Sequence, residues 1–395
     1  MVQEREVFLS ILSDYLHNRP TCLDEGVGWS TIIDIAKRHQ LTSVILEQCA
    51  KIDVDASVHQ TLVSDFARLF SIRTTQERII SDITSYLEKK NTLFCVVKGS
   101  VVAQYYQQFY HRSMGDVDIV VQSDDREKLH QYFMSMGFNN KSKNLNHEWV
   151  YTKGVIAIEL HDKLIYPEVF NKECEETFFN NIWRHVSQNQ MEPNFHFVYL
   201  IYHLKKHLTS GGAGFRQFFD LCLMLRNCTE LNKATIIEYL EEAEMIGFAK
   251  VVFSLCARWF KDESLYFFND NPKQDAAVLE AQTDTIFRNG VFGQYNDSNK
   301  INVSVNNLRF SRFKWISKLR VILMQLFPSY HNMIATSNYA FLEHRPYLLP
   351  IAWVYRFFVN ANKRRIKAFI QKKIRFASSD EQKARERDLK QWGII

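Results

Sequence analysis

No Cys-x-x-Cys pair occurs among the seven cysteines, Cys22, Cys49, Cys95, Cys174, Cys222, Cys228 and Cys256, and an odd number cannot all pair within one chain. That argues against a disulfide framework and for reduced thiols in a cytoplasm. The sequence also lacks any uncharged apolar run of the ~18 residues that a membrane span needs. The nearest, YLLPIAWVYRFFVNA, is too short and carries Arg356. The opening MVQEREVFLSILSDYL has acids among its first residues and no basic stretch ahead of a long apolar one, so no signal peptide is expected. No internal repeat is visible. The net charge of +5 is too mild to indicate a partner.

What is present is a chain of 395 residues with 46% hydrophobic, 24% charged and 14% aromatic residues, enough for a large core in two or three structural units. Residues 5–90 read as helices, with apolar residues at three-and-four spacing and neither Gly nor Pro inside the periodic segments. From Asn91 the texture changes. TLFCVVKGS predicts a strand and tight turn, VVAQYYQQFY a helix, and GDVDIVV a strand. SDDREKLHQYFMSMG predicts a helix capped by Ser123 and stopped at Gly137. HEWVYT and VIAIEL predict a hairpin turning at Lys153-Gly154. Helices return from about 166, interrupted by GGAG at 211–214, and Asn-rich stretches between 268 and 308 predict long loops. The expected organisation is an N-terminal helical region 1–90, an α/β core 91–165, a helical region with loops 166–300 and a C-terminal helical, basic region 301–395.

RSMGDVDIVV poses the chemical question. Alternation puts Asp116 and Asp118 on one strand face, roughly 6.6 Å apart, with Val117, Ile119 and Val121 on the other. Two acids so placed either cap a turn after Gly115 or hold a cation between them, and oxygen donors suit Mg²⁺ or Mn²⁺. Gly99-Ser100, between a strand and a helix, is a place where backbone N–H groups can face an anion. In VIAIELH, Glu159 and His161 share the face opposite Ile156, Ile158 and Leu160, so an acid projects from an otherwise apolar strand.

This ordered set resembles the nucleotidyltransferase superfamily with a DNA polymerase β-like core. More narrowly, VVKGSVVAQYY, RSMGDVDIVV, IELH, HLKKHL and GFRQFFDLCLMLR resemble the bacterial family called uncharacterised nucleotidyltransferases, over roughly residues 30–230. The resemblance implies an α+β fold, a small mixed sheet with helices flanked by N- and C-terminal helical regions. It implies that Gly99 and Ser100 hold the triphosphate of an NTP, that Asp116 and Asp118 bind two divalent ions, and that Glu159 completes the cluster and faces the acceptor hydroxyl. Lys98 and Arg112 carry charge suited to triphosphate oxygens or to ordinary ion pairs. The spacing from Gly99 to Asp116 is longer than in compact superfamily members, so the intervening helix runs on or ends in a loop at YHRS.

His203 and His207 have zinc-compatible spacing but no third ligand nearby, which favours a structural or acceptor-lining role. Arg216 and Asp220, four apart, either pair with each other or bind the acceptor, and His161 either orients Glu159 or reads the acceptor. The stretch from Asn362 holds eleven Lys or Arg against four acids, a charge of +7. It suits a solvated helix, an anionic membrane surface or nucleic acid. The expectation is a Mg²⁺-dependent enzyme, either free in the cytoplasm or peripheral at the inner membrane surface, that moves an NMP from an NTP to a small molecule, sugar, peptide or tRNA. The alternative is a non-catalytic nucleotide-sensing or membrane-surface protein of the same fold.

Overall fold

The computed structural model describes residues 2–23, 26–50, 54–122, 126–141, 148–165, 172–210, 212–265, 267–268, 275–291, 327, 330, 333, 341–342, 345–359 and 379–395. Four helices lead in: α1 (Val2–Leu16), α2 (Trp29–Arg38), α3 (Thr42–Cys49) and α4 (Ala56–Lys89). The 34 residues of α4 span about 51 Å at 1.5 Å per residue. Its buried positions Gln76, Ile79, Ile83 and Leu87 recur every three or four residues, so one stripe is laid against the sheet.

Strand β1 (Leu93–Val97) enters one α-helical turn, α5 (Gly99–Val102), then 3₁₀ turns at Ala103–Tyr105 and Phe109–His111. The continuous helix expected over VVAQYYQQFY is therefore absent. The chain breaks at Tyr106, whose backbone is extended and whose hydroxyl donates 2.7 Å to the buried Asp220 carboxylate. Next come β2 (Asp116–Gln122), α6 (Arg126–Ser135), β3 (Asn139–Asn140), β4 (Glu148–Lys153) and β5 (Ile156–His161). Gly137 at φ +79° stops α6, with the Gly137 and Phe138 N–H groups reaching back to Met134 and Phe133 carbonyls. Ser123, the expected cap, lies outside the described residues.

The sheet order is β1-β2-β5-β4-β3, with β2 and β5 parallel and the other neighbours antiparallel. Val117, Ile119, Val121, Ile156, Ile158 and Leu160 face one core with Ile79, Ile83, Leu129 and Phe133 from α4 and α6. The opposite face joins a larger core through Cys95, Val97 and Val120. Odd positions of β2 are thus buried under α4 and α6, and even positions, including both aspartates, face the helical body.

That body comprises α7 (Glu173–Asn180), α8 (Pro193–Ser210), α9 (Phe215–Asn227), α10 (Lys233–Glu242), α11 (Ile246–Phe260) and α12 (Ala276–Asn289). A short ribbon, β6 (Val186–Ser187) with β7 (Gln190–Met191), precedes α8. Helix α12 occupies part of the stretch expected to be long loops, because Thr283, Ile286 and Phe287 pack into the body. The Asn-rich segments 269–274 and 292–308 lie outside the described residues. Helices α13 (Leu349–Val359) and α14 (Ser379–Gln391) follow, and the basic residues 363–375 also lie outside. No helix among the described residues is long and apolar enough to cross a membrane. Leu389, Trp392 and Ile394 are buried in the same core as α9 and α11, with the Trp392 ring 6.4 Å from Phe248 and 6.5 Å from Phe218.

Candidate active site

Between the sheet and helices α8 and α9 lies a cleft of about 250 Å³. Its sheet wall carries Lys98, Gly99, Asp116, Asp118, Glu159 and His161, and its helical wall carries Tyr199, His203, Lys206, His207, Arg216 and Asp220. The parallel register explains the acidic side. Asp118 pairs with Glu159 and Asp116 with Ala157 across β2 and β5, so the Asp118 and Glu159 side chains emerge side by side on the face away from α4.

Asp118, Glu159 and His161 each bring a ligand atom within 4.8 Å of the others. Asp116 shares their face but stands exposed at the rim, outside that group. Asp118 is 3% exposed and accepts from Lys98 Nζ at 2.5 Å and His161 Nε2 at 3.1 Å, while His161 Nε2 is 3.6 Å from Glu159 Oε2. Burial alone would raise the Asp118 pKa, but Lys98 and then His161 outweigh it and hold the carboxylate well below its usual range. Burial likewise opposes charge on Lys98, and Asp118 overrides it, keeping the ammonium above its usual range. Lys98 is thus the cation bonded directly to Asp118.

Lys98 has φ +59° and ψ −125°, a conformation that costs a non-glycine residue about 1–3 kcal/mol. Its N–H donates 3.0 Å to His196 Nε2. Burial lowers the His196 pKa to about 4, so the ring is neutral and that nitrogen is free to accept. The strain aims Lys98 into the cleft at the strand end. Gly99 follows because a Cβ there would lie 2.6 Å from Arg112 Nη1 and 3.0 Å from its Cζ. Ser100 is not part of the cleft wall; its hydroxyl lies 3.4 Å from Met114 Sδ.

Arg112 is 7% exposed and forks onto Asp220, Nε to Oδ1 at 3.1 Å and Nη2 to Oδ2 at 2.7 Å, while Nη1 donates 2.8 Å to the Ser113 carbonyl. The i,i+4 pairing of Arg216 with Asp220 considered from the sequence is thus replaced, because a guanidinium from the β2 approach reaches Asp220 with better geometry. Arg216 instead donates to Ser113 O at 2.9 Å and to the Gln40 side chain. His203 and His207 touch through their Nε2 atoms at 2.9 Å, and burial drives both pKa values down, His207 to about 4. Lys205, between them, is buried in an ion pair with Glu175 and belongs to the core.

His196, Tyr199 and Lys206 were not singled out from the sequence. Their signal is spacing: residues 196, 199, 203, 206 and 207 fall on one side of α8, a polar stripe on an apolar helix. Gln40 has no such signal, since it meets Arg216 across 176 residues.

The family model described as uncharacterised nucleotidyltransferase matches residues 25–261, from α2 through α11 and across both cleft walls. The chain belongs to that family. No curated protein matches it significantly. Membership makes it a nucleotidyltransferase with a small mixed sheet among helices, as the resemblance implied, and assigns nucleotidyl transfer as its activity class. Within this nucleotidyltransferase the cleft is the one place among the described residues where His, Cys, Asp or Glu side chains gather in metal-ligating geometry.

Proposed function

We propose that the cleft transfers a nucleoside monophosphate from an NTP to a hydroxyl-type acceptor and releases pyrophosphate, with Mg²⁺ or Mn²⁺ held by Asp118 and Glu159 and, at the rim, Asp116. The observation that carries this reading is the β2–β5 register, which sets Asp118 opposite Glu159 with Asp116 two residues upstream on the same face. The donor set fits the group: carboxylate oxygens dominate, and the one imidazole, His161, is tolerated better by Mn²⁺ than by Mg²⁺. Bound there, divalent ions would offset triphosphate charge and lower the pKa of the attacking hydroxyl.

The chain's own residues supply the rest. Lys98, bonded to Asp118 at the cleft wall, would meet phosphate oxygens once that bond opens. Glu159, half-buried beside His161, accepts the acceptor's proton as the new P–O bond forms and the bond between the α- and β-phosphates breaks. His161 holds Glu159 and Asp118 together through one ring nitrogen. The helical wall excludes water and presents neutral histidines and cations to the substrates.

The test incubates the full chain with each α-³²P-labelled NTP and Mg²⁺, with and without cell extract. Labelled product with the parent and none with Asp116→Asn or Glu159→Gln supports the reading. Equal labelling by all three proteins, or no labelling and no pyrophosphate release with any NTP, overturns it.

A further inference from the structure

The cations expected to meet phosphate are engaged by the protein itself, Lys98 with Asp118 and Arg112 with Asp220. Arg216 differs. It is the second residue of α9, is 7% exposed and lines the cleft. Only its Nη1 is occupied, by the Gln40 side chain and the Ser113 carbonyl, both neutral acceptors. Its buried Nε has no hydrogen-bond partner, and among the described residues no carboxylate pairs with it. Burial, with the charge of Arg112, lowers the Arg216 pKa to about 10, so it stays protonated at neutral pH.

The charges of Asp220 and Asp116 favour the ionised form of Arg216 without bonding it, and a buried guanidinium whose direct hydrogen-bond partners are all neutral oxygens is costly unless an anion completes it. The cleft offers room for one there. Lys206 and His207 of α8 line the same wall, whereas the Gly214 and Phe215 N–H groups at the start of α9 are already bonded to Gln217 Oε1 and His39 Nδ1, so side chains rather than the helix end face a ligand here. The sheet wall opposite is acidic. A small tetrahedral oxyanion suits the helical wall, since a planar fork and an ammonium together match phosphoryl oxygens.

We propose that Arg216, with Lys206, forms a subsite for a phosphoryl group on the helical wall of the cleft, supplied by the terminal phosphates of the donor nucleotide or by a phosphate on the acceptor. This rests on the reading of the cleft as a nucleotidyl-transfer site and adds the group that its helical wall takes. Arg216 is then a binding residue, its Nη1 bonds to Gln40 and Ser113 presenting the remaining N–H groups to the ligand.

The experiment measures binding of inorganic triphosphate to the full chain in EDTA by calorimetry, for the parent, Arg216→Gln, Arg216→Lys and Lys206→Gln. Saturable binding by the parent, weakened at least about tenfold in Arg216→Gln, partly kept in Arg216→Lys and weakened in Lys206→Gln, is expected for loss of a charge-assisted contact. No binding by the parent, or equal binding by the parent and Arg216→Gln, overturns the proposal. Where Arg216→Gln does not fold, Lys206→Gln decides alone, and unchanged affinity overturns it. Mg²⁺ complexes of NTP and NMP separate the sources. Weakening of NTP but not NMP in Arg216→Gln assigns the subsite to the donor, and loss of inorganic triphosphate alone assigns it to the acceptor. Because binding is read without metal or turnover, a protein that binds triphosphate through Arg216 yet transfers no nucleotide keeps the subsite and loses the transfer reading.

Discussion

The Lys98 ammonium lies 2.5 Å from Asp118 Oδ1, in a pair whose members are 15% and 4% exposed at the side chain. Removing one partner of such a pair leaves the other charged and dry. Asp118→Asn is therefore expected to destabilise the chain by about 3–5 kcal/mol, and Lys98→Met/Asp118→Asn to recover much of that loss. Urea unfolding of the parent, both single variants and the double variant checks it. Additive losses would show that the pair is not coupled.

Asp116, exposed at the rim, has no such debt to the fold. Asp116→Asn should melt within about 0.5 kcal/mol of the parent, as surface changes do, yet lose the gain from Mg²⁺-NTP. For the parent that gain is about 2.7 kcal/mol at a hundredfold excess over Kd. Thermal melts with and without Mg²⁺-NTP read both effects, and an undiminished ligand shift in Asp116→Asn would remove it from the metal set.

Gly99 sits where an added Cβ would meet Arg112 Nη1 at 2.6 Å and Met114 Sδ at 3.1 Å. The guanidinium cannot swing away without leaving Asp220. Gly99→Ala is expected to cost about 1–3 kcal/mol by overpacking, and Gly99→Val more, together with weakened NTP binding. Chemical denaturation alongside NTP titration distinguishes this from a phosphate-turn effect alone, which would spare stability.

Stability should fall on mild acidification. His196 and His207 have folded-state pKa values lowered to about 4 from 6.5, and burial lowers His203 as well. Above 6.5 these rings are neutral folded or unfolded. Between 6.5 and 4 the unfolded chain binds protons that the folded chain refuses, so stability drops as pH falls, by up to about 1.4 kcal/mol per pH unit for each ring. Below 4 the contribution of His196 and His207 levels off. Urea midpoints from pH 8 to 4 should show this slope, and His203→Gln/His207→Gln should flatten it; an unchanged slope would locate the titration elsewhere.

Local pattern determined much of this protein before any folding. The alternation in GDVDIVV and VIAIEL sets which residues of β2 and β5 share a face, because a strand has period 2 whatever surrounds it. The three-and-four spacing of residues 56–89 sets a long helix for the same local reason. Asp116, Asp118, Glu159 and Gly99 could be named as candidates from order and spacing alone. The partners of the charged groups could not, since they lie far apart in sequence and only packing brings them together. Arg112 meets Asp220 across 108 residues, Arg216 meets Gln40 across 176, and the Lys98 N–H donates to His196 across 98. Tertiary structure decided that Lys98 guards Asp118, that the helix after Gly99 breaks at Tyr106, and that Arg216 enters the cleft with open donors, because a buried charge settles on whichever partner the packed core brings within reach.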